Sequence, residues 1–158
     1  MADRLNPEQR RLCMQHIHSK GTKPEMIVRQ YLHANGFRYR LHHDRLPGHP
    51  DLVLRKYRTC IFVNGCFWHG HEGCRYHTIP KTNTDFWAAK IERNRERDSE
   101  DIQKLKEMGW NTVIIWECQL KPAAREASLK SLAYTLNHIQ LLNYGASTKE
   151  YANIAFNK

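Results

Sequence analysis

The chain has 158 residues, a hydrophobic fraction of 41% and a formal net charge of +9. That size fits one compact domain with a real core, and that composition excludes a wholly disordered chain. The excess of Lys and Arg favours a polyanionic partner, nucleic acid first and an anionic membrane surface second, because clustered cations release counterions from phosphates.

The first residues, MADRLNPEQRR, contain no apolar h-region, so no secretory signal is expected. No stretch approaches the ~18 apolar residues of a membrane span. The expectation is a soluble, intracellular protein of the cytoplasm, without a membrane partner. Five cysteines are an odd number, and in a reducing compartment metal binding is the better expectation than a closed disulfide framework.

Asn6-Pro7 predicts a helix start, with Asn as N-cap and Pro in the first turn, and a short helix to about Ile17. Residues 18–23, HSKGTK, read as a loop. Pro24 opens a second helix whose apolar stripe is Ile27, Val28, Tyr31 and Leu32, stopped by Asn35-Gly36. Glu25 lies in its first turn, where a carboxylate suits the positive end of the helix dipole. Phe37, Tyr39 and Leu41 alternate with Arg38, Arg40 and His42, which predicts a strand with one basic face.

Leu46-Pro47-Gly48-His49-Pro50 is a rigid turn, and Asp51-Leu52-Val53-Leu54 begins a strand after it. Lys56-Tyr57 reads as a tight turn. Cys60-Ile61-Phe62-Val63 is a nearly continuous apolar run, as expected of a central strand. A motif-rich loop spans Asn64 to about Asn83. Asp85–Met108 reads as a long helix ended by Gly109, Asn111–Trp116 as a buried strand, and Pro122–Ile139 as a peripheral helix. The order α-α-β-β-β-α-β-α predicts an α/β (α+β) fold, a mixed central sheet flanked by helices.

The densest local signal is NGCFWHGHEGC, residues 64 to 74. It supplies Cys66, His69, His71 and Cys74, and Cys118 follows the strand NTVIIWE. Zinc prefers four N/S ligands, often from one short loop and a distant strand end, so Cys66, His71, Cys74 and Cys118 form a candidate Cys₃His site. The bland alternative is a set of unrelated thiols and a surface His. Cys60, in the apolar strand, reads as a small buried hydrophobe.

Metal-dependent phosphodiester cleavage needs hard oxygen ligands for Mg²⁺ and a base for water. Asp51, Glu25 and His69 are candidates, although each alone has a bland reading as a turn residue, a dipole partner or a surface imidazole. Taken together, PGHPDLV, CIFVNGCFWHGH, FWAAKIERNRERD and GWNTVIIWEC resemble, in order and spacing, the very short patch repair (Vsr) DNA mismatch endonucleases. The resemblance runs from about Met14 to Cys118.

It implies a type II restriction-endonuclease-like fold with a structural zinc, and cleavage 5′ of the T in a T:G mismatch left by deamination of 5-methylcytosine. It implies that Asp51 is the main Mg²⁺ ligand, helped by the backbone carbonyl of Val63. His69 is then the general base, Glu25 orients His69 or a metal-bound water, and Zn²⁺ sits on Cys66, His71, Cys74 and Cys118. Where the best-known pattern has a second active-site His, this chain has Asn64, which can donate to a phosphate oxygen but cannot carry a proton charge. The expected organisation is a single endonuclease domain over residues 1–158. It divides into a DNA-contacting arm (1–20), a catalytic core (24–118) and a peripheral C-terminal helix and tail (122–158).

Phe67, Trp68 and Trp87 are large aromatics among hydrophilic residues, and such side chains either pack in a core or wedge between base steps. The resemblance favours wedging by these three from the major-groove side and by Met14 from the minor-groove side. Trp110 and Trp116 are assigned to the core. Arg38, Arg40, Arg93, Arg95 and Arg97 are candidates for phosphate contact, with Lys81 and Lys90 open. KIERNRERD also reads as a solvated helix face whose acids offset its bases. The expected partner is duplex DNA with a T:G mismatch. A functional link to a cytosine-5 DNA methyltransferase, contact with mismatch-repair factors, a nucleoid association and a monomeric state are further expectations. Two other functions compete: a restriction-type nuclease cutting intact duplex, and a non-catalytic zinc DNA-binding module.

Overall fold

The computed structural model describes residues 6–17 and 20–155, with side chains described through residue 144. Helix α1 (Pro7–Gln15) opens with a reciprocal cap. Asn6 accepts the Gln9 N–H at 2.7 Å, and the Gln9 side chain accepts the Asn6 N–H at 3.1 Å. The helix buries no residue and ends two residues short of Ile17.

Helix α2 (Lys23–Ala34) begins one residue before Pro24, capped by Thr22. Val28 and Leu32 are fully buried, and Ile27 and Tyr31 pack beside them, as the apolar stripe predicts. Gly36, at φ 84°, reverses the chain so that the Phe37 N–H reaches the Leu32 carbonyl.

The strands are β1 (Arg40–Leu41), β2 (Leu52–Leu54), β3 (Thr59–Asn64) and β4 (Asn111–Trp116), in sheet order β1-β2-β3-β4. The β1–β2 and β2–β3 pairings are antiparallel, and β3–β4 is parallel. The predicted strand over 37–42 is therefore corrected to two residues. Phe37 and Tyr39 do turn inward, Phe37 lying 5.4 Å from the Tyr57 ring, but Leu41 is exposed and His42 adopts φ 46°. That left-handed residue ends the extended run.

The period of two in β2 and β3 divides the core. Leu52, Leu54 and Ile61 face α2 and helix α4 (Pro122–Ala155). Val53 and Cys60 face helix α3 (Thr84–Glu107) through Leu105. Helix α4 contributes Leu129, Leu132 and Leu136 at helical spacing and continues past Ile139, the end expected from the sequence. The structure is thus a small mixed sheet covered by helices. Among the described residues, no helix is long and apolar enough to cross a membrane.

Candidate active site and metal cluster

Strands β3 and β4 are parallel, so their C-terminal ends, Asn64 and Trp116, share one sheet edge. Because β2 runs antiparallel to β3, its start, at Asp51-Leu52, lies at that same edge. Open α/β sheets place ligands outside the carboxyl ends of their parallel strands. The candidate residues converge there.

Asp51 is held by the Val63 N–H, which donates to its Oδ2 at 2.7 Å. In an extended strand the N–H and C=O of one residue point to the same side. The Val63 carbonyl therefore faces the Asp51 side as well. Burial pushes the Asp51 carboxyl above its ordinary 3.8. The Val63 amide opposes that shift, the Glu25 charge adds to it, and His42 and His69 oppose it. A buried carboxylate whose charge burial disfavours gains most from a cation placed beside it.

Glu25, only 1% exposed, accepts the Gly21 N–H at 2.8 Å. Its Oε1 lies 3.0 Å from His42 Nε2 and 3.6 Å from the Arg29 guanidinium, yet takes no hydrogen bond in good geometry. Donor atoms of Glu25, His42 and Asp51 all lie within 4.8 Å of one another. The His69 ring does not pair with Glu25. Its Nδ1 is 2.5 Å from Asp98 Oδ2. Lys20, His42, Asp51, Val63, Asn64 and His69 share the wall of one cleft of about 390 Å³.

Helix α3 holds this arrangement with residues 91, 94, 95 and 98, which recur at helical spacing on one face. Asn94 donates to the Trp68 carbonyl at 3.0 Å, Arg95 pairs with Glu72, and Asp98 takes His69. Gly70, at φ 60°, approaches so closely that a Cβ there would lie 2.9 Å from Ile91 Cγ2 and 2.7 Å from Arg95 Cδ. The charged run KIERNRERD is therefore only partly a solvated face, since one side of it clamps the loop that carries His69.

Cys66, His71, Cys74 and Cys118 form a second cluster, with all four ligand atoms within 4.8 Å of one another. His71 Nδ1 is 3.5 Å from Cys118 Sγ, and its ring stacks on Trp116 at 4.1 Å and 2°. Trp116 is thus a platform for His71 rather than a member of the core cluster, whereas Trp110 packs against Leu105 and its neighbours. Burial pushes the Cys66 thiol up to about 12 and raises Cys118, while the Tyr76 backbone N–H lowers Cys74. Thiols that resist ionisation alone ionise against a divalent cation. Three sulfurs and one imidazole at this separation fit a single tetrahedral ion.

Phe67, Trp68, Phe86 and Trp87 form an aromatic cluster outside both core clusters, with neighbouring centroids 5.1 to 5.9 Å apart. Lys90 Nζ sits 5.5 to 5.9 Å from the Trp68, Phe86 and Trp87 rings. Phe86 is 54% exposed and Met14, on α1, 42%. The sequence pattern does not mark His42 or Asp98. Alternation alone puts His42 on the polar face of a strand, and composition makes Asp98 one acid among many, although its seven-residue spacing from Ile91 places both on one helix face.

A family model described as DNA mismatch endonuclease Vsr matches residues 2–75. The DNA mismatch endonuclease Vsr of Escherichia coli is 41% identical over 121 residues, 77% of each chain. The chain belongs to the Vsr family. Two further relatives are type II nicking enzymes. V.XorIIP of Xanthomonas oryzae pv. oryzae is 48% identical over 133 residues, 84% of this chain and 97% of that one. V.NmeAIP of Neisseria meningitidis is 48% identical over 124 residues, 78% of this chain and 88% of that one. The match to V.XorIIP spans most of this Vsr-family chain, including the sheet edge where both residue clusters lie.

Proposed function

We propose that this protein is a magnesium-dependent DNA endonuclease that nicks one strand of duplex DNA, 5′ of the T in a T:G mismatch. Its family and its nicking-enzyme relatives support the nuclease class. The observation that carries the chemistry is the buried Asp51 carboxylate, fixed by the Val63 amide in the cleft that also receives His69.

In this reading Asp51 and the Val63 carbonyl would hold Mg²⁺, which would supply positive charge to polarise the scissile phosphate and to make a neighbouring water more acidic. Asp98, accepting from Nδ1–H, leaves His69 Nε2 free to take a proton from the attacking water. Asn64, buried at the end of β3, donates to a phosphate oxygen. Water adds to phosphorus and gives its proton to His69 Nε2, the bond to the 3′ oxygen breaks, and that oxygen takes a proton from solvent as it leaves. Glu25 contributes from the α2 N-terminus through His42 or a metal-bound water, since the His69 ring is already paired with Asp98.

Cys66, His71, Cys74 and Cys118 hold Zn²⁺, which ties the His69 loop to the end of β4. The mixed sheet with its carboxylates at one edge fits a restriction-endonuclease-like catalytic domain. Residues 1–158 act as one unit of arm, core and C-terminal helix. Phe67, Trp68 and Trp87 wedge at the mismatch, with Met14 opposite, because a mispaired step opens more easily than a paired one. Arg93 and Arg97, outside the clamping face of α3, contact phosphates, Arg97 from its place 3.6 Å from Asp98 Oδ1. An asymmetric lesion calls for a monomer. Mismatches of this kind link the enzyme to a cytosine-5 methyltransferase and to mismatch-repair factors near the nucleoid.

The test is a set of end-labelled duplexes differing at one base pair, T:G or C:G, in CC(A/T)GG and scrambled contexts, with Mg²⁺ or EDTA. A Mg²⁺-dependent nick beside the mismatched T, on that strand alone, is the expected result. Equal cutting of C:G duplex would replace the reading with a restriction-type nuclease. Binding without cutting in any duplex would replace it with a zinc DNA-binding module.

A further inference from the structure

With Asp51 as ligand to the catalytic ion, His42 is left only as a relay from Glu25, although three features aim it at that ion's position. Its backbone N–H donates to the Asp51 carbonyl at 3.2 Å, which ties the two residues together. Its φ of 46° lies in the left-handed region, which non-glycine residues rarely adopt and which persists where the surroundings enforce it. The turn brings Nε2 to 3.0 Å from Glu25 Oε1. That oxygen is the third feature. It is buried, faces His42, and lacks a well-formed hydrogen bond, a state that a cation relieves.

The three donor atoms span at most 4.8 Å. Two ligands of one ion at about 2.1 Å stand no more than about 4.2 Å apart, so the group closes on an ion with shifts of a fraction of an ångström. The donor set is two carboxylates and one imidazole. Mg²⁺ strongly prefers oxygen and water, whereas first-row divalent ions accept imidazole nitrogen readily.

We infer that His42 is a third protein ligand of the catalytic divalent ion, completing a Glu25–His42–Asp51 centre that binds first-row ions such as Mn²⁺ more tightly than the Mg²⁺ with which it also works. The inference rests on the reading of Asp51 as a ligand to that ion. His42 acts beside the ion, while His69, lining the same cleft, stays paired with Asp98 as the base.

The test uses the full chain with its thiolate site loaded with zinc, titrated with Mn²⁺ without DNA. Free Mn²⁺ is counted by electron paramagnetic resonance, and nitrogen coupling to bound Mn²⁺ is read by pulsed measurements. The wild type is expected to show a directly bound histidine nitrogen, whose signal changes when the protein carries ¹⁵N-histidine. His42→Gln is expected to lose that coupling and to weaken Mn²⁺ binding on the order of 10-fold or more, with Mg²⁺ competition changed much less. His69→Gln and His49→Gln are each expected to keep the coupling, which leaves His42 as the cleft histidine that supplies the nitrogen even if the His42 variant folds poorly. Absence of nitrogen coupling in the wild type, or its survival in folded His42→Gln, overturns the inference. Asp51→Asn separates the two levels. If it binds Mn²⁺ as the wild type does, the reading of Asp51 as a ligand fails as well. If it loses Mn²⁺ while His42→Gln behaves as wild type, only the part given to His42 fails.

Discussion

Asp98→Asn isolates how much of the nicking reaction depends on the orientation and tautomer of one imidazole. In the wild type Asp98 Oδ2 stands 2.5 Å from His69 Nδ1. An ionised carboxylate can only accept, so it fixes the proton on Nδ1 and leaves Nε2 as the acceptor for water. Asn at 98 keeps the shape but offers an N–H as readily as a C=O. Rings that accept that N–H at Nδ1 carry their proton on Nε2 and cannot act as the base. The variant also loses the negative charge that favours the imidazolium formed during the step. A hydrogen bond to a charged group contributes about 1.5–3 kcal/mol, which translates into a rate loss of roughly 10- to 150-fold. The pair is about one quarter exposed on each side, so its effect on folding is small, below about 1 kcal/mol after solvent screening. The assay is single-turnover nicking of a T:G duplex, with mismatch affinity and melting temperature measured alongside. A slower nick with unchanged affinity and melting is expected. A wild-type nicking rate in a folded Asp98→Asn protein would refute the pairing as part of the chemistry.

Gly70→Ala forces a left-handed Ala, about 1–2 kcal/mol, and overpacks Ile91 and Arg95, about 1–3 kcal/mol, so denaturation should show a loss of about 2–5 kcal/mol. A loss within error would mean that the loop and α3 do not clamp. Cys118→Ser removes one of four ligands, and elemental analysis should show less than one zinc per chain together with a lowered melting temperature, because metal affinity is folding free energy here. Full zinc content at unchanged melting would refute the four-ligand site. Asp51→Asn should abolish nicking yet stabilise the protein near neutral pH without added divalent ion. Burial raises the native Asp51 pKa above 3.8, so its favourable contribution is complete below that value and lost as pH rises through the native pKa. The stability gain of the variant should therefore vanish towards and below pH 3.8, and added Mg²⁺ should favour the wild type. Thermal melts across that range, with and without Mg²⁺, check both signs.

What the sequence made legible follows from how locally each feature is encoded. Helix α2 and strands β3 and β4 were readable because their apolar residues either recur at the helical period or run together, and these patterns are set by burial alone. The strand predicted over 37–42 failed because alternation reports which side chains turn inward, not whether a partner strand is present. β2 offers only three residues to pair with, and the left-handed His42 closes the run. The Cys66, His71 and Cys74 triplet was readable from spacing, while Cys118 needed the strand β4 to carry it back to the same sheet edge. Asp98 and His42 were hidden for one reason. Each sits where a polar residue already has an adequate bland explanation, a charged helix face and the solvent side of a strand. Only the fold reveals that those two surfaces meet the His69 loop and the Glu25 carboxylate. The spacing of 91, 94, 95 and 98 was on view in the sequence, but helical periodicity identifies a face without naming what it touches. At a nuclease edge assembled from chain segments far apart in sequence, the local clusters can be read early. The residues that aim them come from segments distant in sequence.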